Sequence, residues 1–259
     1  MKKIKLLILT IALNLMFAQG TAGVSSRYEF RSLIDMPTAG ILDRGNASVL
    51  INFLPSGVMV TKMEVGVFKN FSFGISYGAA NVIGTGNPEW YKLPGINARL
   101  RLFNETLSNP AITIGFDSQG KGLYDDVLER FEIKSPGFFV AISKNYNFMG
   151  FISLHAGINY SLEREDGDKD ANMWIGVEKS LGDVVSLVME YDFAINDNSA
   201  RSWGDGNGYL NAAVKWSVGK GFTIGVEFRN LVDNKKRANF YAADRAIRVE
   251  YITPIFTRN

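Results

Sequence analysis

The chain has 259 residues, 46% of them apolar and 12% aromatic, with 26 glycines, no cysteine and a formal charge of +2. That charge is too even for a nucleic-acid binder, and no disulfide or cysteine-borne lipid anchor can form. Such a composition suits a closed β-barrel rather than a disulfide-stapled secreted domain.

Met1-Lys2-Lys3-Ile4-Lys5 opens the chain, and an apolar run from Leu6 to Ala18 follows. A basic start, a short apolar core and a small residue at its end form a secretory signal peptide over residues 1–18, with Gln19 first in the mature chain. Cleavage near Gly20 or Ala22 is the alternative. The run is too short for a membrane-spanning helix, which needs about 20 residues. Loss of Lys2, Lys3 and Lys5 moves the net charge from +2 to −1. Residues 19–45 read as a short periplasmic lead, and residues 46–259 as one barrel.

Twelve segments then alternate with period two, apolar against polar or small, as strands between lipid and lumen do. The clearest is 71–80, where Phe71, Phe73, Ile75, Tyr77 and Ala79 oppose Ser72, Gly74, Ser76, Gly78 and Ala80. The others fall at about 47–54, 58–68, 95–103, 110–117, 137–144, 152–162, 171–179, 185–193, 210–218, 222–229 and 247–251. Past the signal, no stretch is apolar for long enough to make a membrane helix. In hydrocarbon an unpaired strand edge costs several kcal/mol per backbone group, so the sheet must close. The connections support this. From a periplasmic N-terminus the even-numbered ones are short, as at Lys69-Asn70 and Gly219-Lys220-Gly221. The odd ones are long, except the tight hairpin Pro55-Ser56-Gly57. A soluble β-sandwich has no reason to segregate its loops so. The fold class expected is therefore all-β: an antiparallel up-and-down transmembrane barrel of about twelve strands, in an outer membrane, with both termini periplasmic.

Leu33-Ile34-Asp35-Met36-Pro37-Thr38-Ala39-Gly40 precedes the first strand. Gly176-Val177-Glu178 and Glu190-Tyr191-Asp192 lie in later ones. These short stretches resemble the YjbH-like outer-membrane proteins, a group tied to exopolysaccharide production and secretion. The resemblance implies a structural or accessory envelope protein, with polysaccharide or envelope-assembly proteins as partners beside outer-membrane lipid. The alternative is a narrow, weakly selective porin-like channel for small polar solutes.

No catalytic, metal or cofactor site stands out, and the chain reads as a non-enzyme. His155, the one histidine, faces the lumen by parity, and no Gly-x-Ser-x-Gly elbow accompanies it. The carboxylate-rich stretch Glu163–Asp170 offers oxygen ligands that suit Ca²⁺, but Arg164 and Lys169 offset its charge, which favours a solvated loop. Gly84-Thr85-Gly86 is too short a glycine pattern for a nucleotide loop. More telling are the charges on lumen-facing positions. Lys62, Arg99, Arg101, Lys215, Arg229 and Arg248 are nearly balanced by Glu64, Asp117, Glu178, Glu190, Asp192, Glu227 and Glu250. Paired across a barrel of this size, they predict a filled interior with little ion selectivity.

Overall fold

The computed structural model describes residues 21–236 and 244–255. The signal peptide expected over 1–18 lies outside them. Fifteen strands appear in chain order: β1 (Asn46–Leu54), β2 (Val58–Phe68), β3 (Phe71–Ala80), β4 (Glu89–Trp90), β5 (Gly95–Phe103), β6 (Ala111–Asp117), β7 (Lys121–Asp125), β8 (Arg130–Ile133), β9 (Gly137–Asn147), β10 (Phe151–Tyr160), β11 (Asn172–Leu181), β12 (Val185–Asp192), β13 (Tyr209–Gly219), β14 (Phe222–Arg229) and β15 (Asp244–Pro254). Twelve of them, all except β4, β7 and β8, form one antiparallel ring. The ring closes where β1 meets β15, from Asn46 opposite Pro254 to Phe53 opposite Ile247. Closure leaves no edge, which is what allows a sheet to stand in hydrocarbon. No described helix is long and apolar enough to cross a membrane.

Each strand divides its side chains between two solvents. On β3, Ile75 is 46% exposed and Ser76 only 3%. Phe73, Leu100, Leu154, Ile175 and Met189 likewise point outward. Aromatic residues gather at both rims of this apolar wall. Phe68, Phe103, Phe148 and Trp216 stand near the short turns; Tyr77, Trp90, Phe138 and Tyr160 stand near the long loops. An apolar belt between two aromatic girdles is the outer surface of a transmembrane barrel. A groove of about 510 Å³ in this wall, lined by Leu100, Ile114, Phe138 and Ile158, opens on the lipid side.

The strands fall where the period-two pattern put them, with β3 and β5 matching at both ends. The connections also segregate as expected. The tight first hairpin persists because the next long loop folds over it: Val82 and Ile83 donate their N–H groups to Gly57 O. Gly57 has φ +64°, and a Cβ there would sit 2.1 Å from Ile83 O, so only glycine fits.

Two features depart from the sequence reading. First, residues 21–45 do not lie outside the barrel at its short-turn end. They enter the lumen from that end and return, with Ser32 bridged to Pro37 and a tight turn closed by Leu33 N–H on Met36 O at 2.9 Å. Phe30, Leu33, Ile34 and Met36 pack there against inward Phe139, Ala141, Trp174, Val188 and Ala213. The physical reason is burial: four large apolar side chains of a supposed lead are removed from water only inside the barrel. Second, β7 and β8 form a hairpin that covers the long-loop mouth, with Phe131 edge-on to Tyr91 (4.9 Å, 82°) and Tyr124 (5.0 Å, 74°). Beneath lie Leu54, Val58, Val60 and Ala246.

Candidate functional site

The lumen is the candidate site, and its centre is occupied by the inserted hairpin, residues 29–41. An irregular segment must satisfy its main-chain groups without a ladder. Here the barrel wall supplies the partners. Glu190 of β12 accepts the N–H groups of Ile34, Asp35 and Met36 at 3.0, 3.1 and 2.9 Å. Lys215 of β13 donates to Ser32 O and Leu33 O at 3.2 and 2.8 Å, and its ammonium lies 3.7 Å from the Phe30 ring centroid. Arg248 of β15 binds Ser32 Oγ, Leu33 O and Ile34 O. Arg99 and Arg101 of β5 take Thr38 O, Gly40 O and Ala39 O, and Thr113 Oγ1 donates to Ala39 O at 2.7 Å. Trp174 Nε1 donates to Pro37 O at 3.1 Å.

The hairpin carries charges of its own. Arg31 pairs with both Glu64 (3.2 Å) and Glu250. Asp35 pairs with Arg229, and Glu29 with Arg101. Direct ion pairs within the wall are fewer: Lys62 with Asp117, and Glu227 with Arg248 (2.9 Å) and Arg229 (3.4 Å). Glu178 accepts from Ser186 Oγ at 2.8 Å, and Asp192 from Asn172 Nδ2 at 2.7 Å. Of the thirteen charges singled out in the sequence, eleven are buried and Lys62 and Glu178 are half-buried. Arg99 and Arg101, however, do not meet Glu190 and Asp192 across the barrel, because the hairpin stands between them. Sequence reasoning missed Glu29, Arg31 and Asp35. The available signal was a pair of opposite charges flanking an apolar Leu33-Ile34 step in a segment with no strand period.

Water-sized space remains on both sides. A cavity of about 220 Å³ opens at the short-turn end beside Ser26, Arg101, Ser153, His155 and Glu178. Another, of about 390 Å³, lies under the long loops beside Lys92, Gln119, Tyr124 and Glu163. His155 faces the lumen, with Nδ1 2.8 Å from Ser143 Oγ, which also accepts the Ala39 N–H at 2.9 Å. His155 Nε2 is buried and meets no partner. A serine hydrolase needs a carboxylate on that second nitrogen and a path for substrate. No carboxylate meets that nitrogen, and Ser143 holds the hairpin's Ala39 N–H, so Ser143 and His155 are read as part of its seat.

The long-loop mouth is closed by buried ion pairs as well as by bonds to main chain. Arg130 is fully buried and pairs with Asp166 and Asp197; Lys134 pairs with Asp166 at 2.9 Å. Burial pulls the Arg130 guanidinium down, but Asp197 and Asp166 outweigh it and hold it above its ordinary value. Burial also works against Asp166, yet the Lys134 and Asp168 N–H hydrogen bonds and the charges of Lys134 and Arg130 set it below the usual carboxylate range. Glu163 goes the other way: burial raises it despite N–H bonds from Ser135 and Phe131 at 3.0 and 2.9 Å. The acidic stretch 163–170 is therefore not the solvated loop its composition suggests. Asp166 and Asp168 are buried, and Asp168 accepts Asn198 N–H at 2.9 Å. No group of metal-binding side chains occurs among the described residues. Gly84-Thr85-Gly86 sits in an exposed loop, where a Cβ on Gly84 would meet nothing within 4 Å.

No family model and no curated protein sequence matches the chain. Solved structures of outer-membrane proteins are similar in shape. The KdgM porin gives a TM-score of 0.49 at 11% identity, over 80% of this chain and 98% of that one. The NanC porin gives 0.46 at 8% identity, over 80% and 98%. Omp33 of Acinetobacter baumannii gives 0.45 at 8%, over 80% and 96%. The resemblance to YjbH-like proteins finds no support among these comparisons. The chain's own closed ladder, apolar belt and inward polar groups make it a transmembrane β-barrel of the outer-membrane kind.

Proposed function

We propose that this outer-membrane barrel is a porin-like passage for small polar solutes, held shut by its own N-terminal hairpin. One observation carries the reading. The hairpin fills the middle of a polar lumen, yet the twelve-strand ladder closes through β1 and β15 without a single bond from it. A plug that is not part of the wall can leave while the wall stands. Its main-chain bonds are also exchangeable, since water can replace a side chain on a carbonyl or an amide. The mostly polar cavity at the short-turn end runs up to the hairpin and stops there, with Glu29, Phe30, Ala39 and Gly40 in its lining. In this role the chain acts by displacement, needs no cofactor, and has outer-membrane lipid as its standing partner. No observation favours an exopolysaccharide role over simple passage.

The absence of native cysteine makes the test clean. Ala39→Cys with Ser143→Cys joins the hairpin to β9, at a place where Ala39 N and Ser143 Oγ are 2.9 Å apart. Reconstituted in planar bilayers, the oxidised variant should show almost no current, and reduction should restore rare openings at the unmodified level. Shortening the mature chain by residues 21–40 should give large, steady currents. Equal currents from oxidised, reduced and shortened proteins would end this reading.

A further inference from the structure

The hairpin does not fill the lumen evenly. Beside β1, β2, β5 and β6 a void of about 40 Å³ remains between Pro37 and the wall. Its charged lining is Lys62, Arg99 and Lys121 against Asp35 and Asp117. Both carboxylates are engaged: Asp117 pairs with Lys62 and accepts Gln119 N–H at 3.1 Å, and Asp35 pairs with Arg229. Arg99 spends only Nη1, on two carbonyls at 3.3 and 3.4 Å, and its buried Nε meets no acceptor. Lys121, on the hairpin that covers the long-loop mouth, forms no ion pair with any described residue. Burial, then the charges of Arg248 and Lys62, pull its ammonium down to about 8. Three cations thus border a space with acceptors for only part of their hydrogen-bonding capacity.

A buried cation without a counter-charge is costly. The void is large enough for a particle near the size of one water, about 30 Å³. We propose that this void binds one small inorganic anion of the halide class, held by Lys121, Arg99 and Lys62. The site requires the plugged form, because Pro37 and Asp35 are part of its wall, but it does not require that the plug ever opens. The anion would fasten the β7–β8 hairpin, through Lys121, to the inserted segment below it.

The test is thermal unfolding of the full mature chain in detergent, at pH 7 and constant ionic strength, with chloride or bromide set against gluconate. Chloride and bromide should raise the midpoint by a few degrees, saturably, as a ligand of the folded state does. Lys121→Met should abolish the difference. A pH series on the unmodified protein gives an independent arm should that variant fail to fold. The groups facing Lys121 are Arg248, Lys62, Arg99, Asp35, Asp117 and Glu227, and burial with the charges of Arg248 and Lys62 sets Lys121 itself to about 8. The halide effect should therefore fade as pH rises past about 8. Equal midpoints in halide and gluconate, a halide effect that survives Lys121→Met, or one that is unchanged at alkaline pH would each overturn the proposal. Because the readout is stability and not current, its failure leaves the passage reading untouched.

Discussion

At the inserted hairpin, the wall's charged side chains hold mainly main-chain groups, with Arg31 and Asp35 adding ion pairs; at the long-loop mouth, main-chain bonds such as Phe131 N–H on Glu163 are joined by a cluster in which charged side chains hold one another. Glu190 collects three amide hydrogens, and Lys215, Arg248, Arg99 and Arg101 take carbonyls. Arg130, Lys134, Asp166 and Asp197 pair as opposite charges at the mouth. The difference bears on what each region can do. Main-chain capture recognises the path of a segment, and water can stand in for it when the segment leaves. A buried charge cluster has no such substitute, since each member is stranded when another goes. The first arrangement suits a part that moves, the second a part that stays.

The sharpest way to break the comparison is Glu190→Ala. It strands the N–H groups of Ile34, Asp35 and Met36 together, and takes from Asn211 Nδ2 one of its two acceptors, the other being Asp35 Oδ2 at 3.2 Å. Each unsatisfied buried donor costs about 1–3 kcal/mol. With partial rescue by water, hairpin docking should weaken by about 3–5 kcal/mol. Residues 27–45 should become open to added protease while the barrel keeps its shifted mobility on unheated gels. An unchanged protease pattern would mean that Glu190 is not what seats the hairpin.

How much of this could be read from the sequence follows from the same physics. The strands could, because lipid on one side forces an apolar residue at every second position: Phe73, Ile75 and Tyr77 on β3 repeat a constraint that no neighbour can relax. The facing of Lys62, Glu190 or Arg248 follows from that parity. The identity of their partners does not. Glu190 is 155 residues from Asp35, and nothing local to either announces the other. The hairpin has no period, since an irregular segment meets its surroundings one residue at a time. The stretches Leu33–Gly40, Gly176–Glu178 and Glu190–Asp192 stood out in the sequence without evident chemistry. In the fold they meet: a Cβ on Gly176 would lie 2.3 Å from Leu33 Cδ1, and Glu190 holds the turn after it. The mouth was illegible for a similar reason, with Arg130 on β8 and Asp166 and Asp197 on two separate loops.

Arg130→Met probes the other region. It leaves Asp166 and Asp197 buried without their shared cation. A broken buried pair costs about 3–5 kcal/mol, and water reaching the loops should bring this to the low end, about 3 kcal/mol. The expected outcome is new protease cleavage within 118–136 and no change within 27–45. Acid should do the same to the unmodified chain. Asp166 is set below its ordinary value, so its contribution is complete above about pH 4 and is lost as pH falls through the lower folded value. Glu163, raised by burial, has the opposite sign, since protonation relieves its buried charge. Cleavage within 118–136 should therefore begin only below about pH 4. Opening that began near neutrality would show that the carboxylates are not what closes the mouth.

Trp174→Phe is the mildest probe, and it separates main-chain capture from shape. Trp174 is fully buried; its Nε1 donates to Pro37 O, and its ring lies against Gly157, where a Cβ would stand 2.1 Å from Cζ2. Phenylalanine keeps most of the apolar contact, removes one hydrogen bond to the hairpin, and leaves a small gap. Pro37 O is a carbonyl with one partner lost, which is less costly than stranded amide hydrogens. The hydrogen bond is worth about 1 kcal/mol net, and the gap adds a fraction of that. If the hairpin is held chiefly by charged groups on its main chain, protease access within 27–45 should rise only slightly, well short of the Glu190→Ala effect. The barrel's own unfolding should stay where it is, because Trp174 takes part in the ladder only through its backbone. An effect as large as that of Glu190→Ala would place the holding force in the packing around Leu33, Ile34 and Met36 instead. The hairpin would then be an apolar core inside a barrel, and its release would be governed by burial rather than by exchange with water.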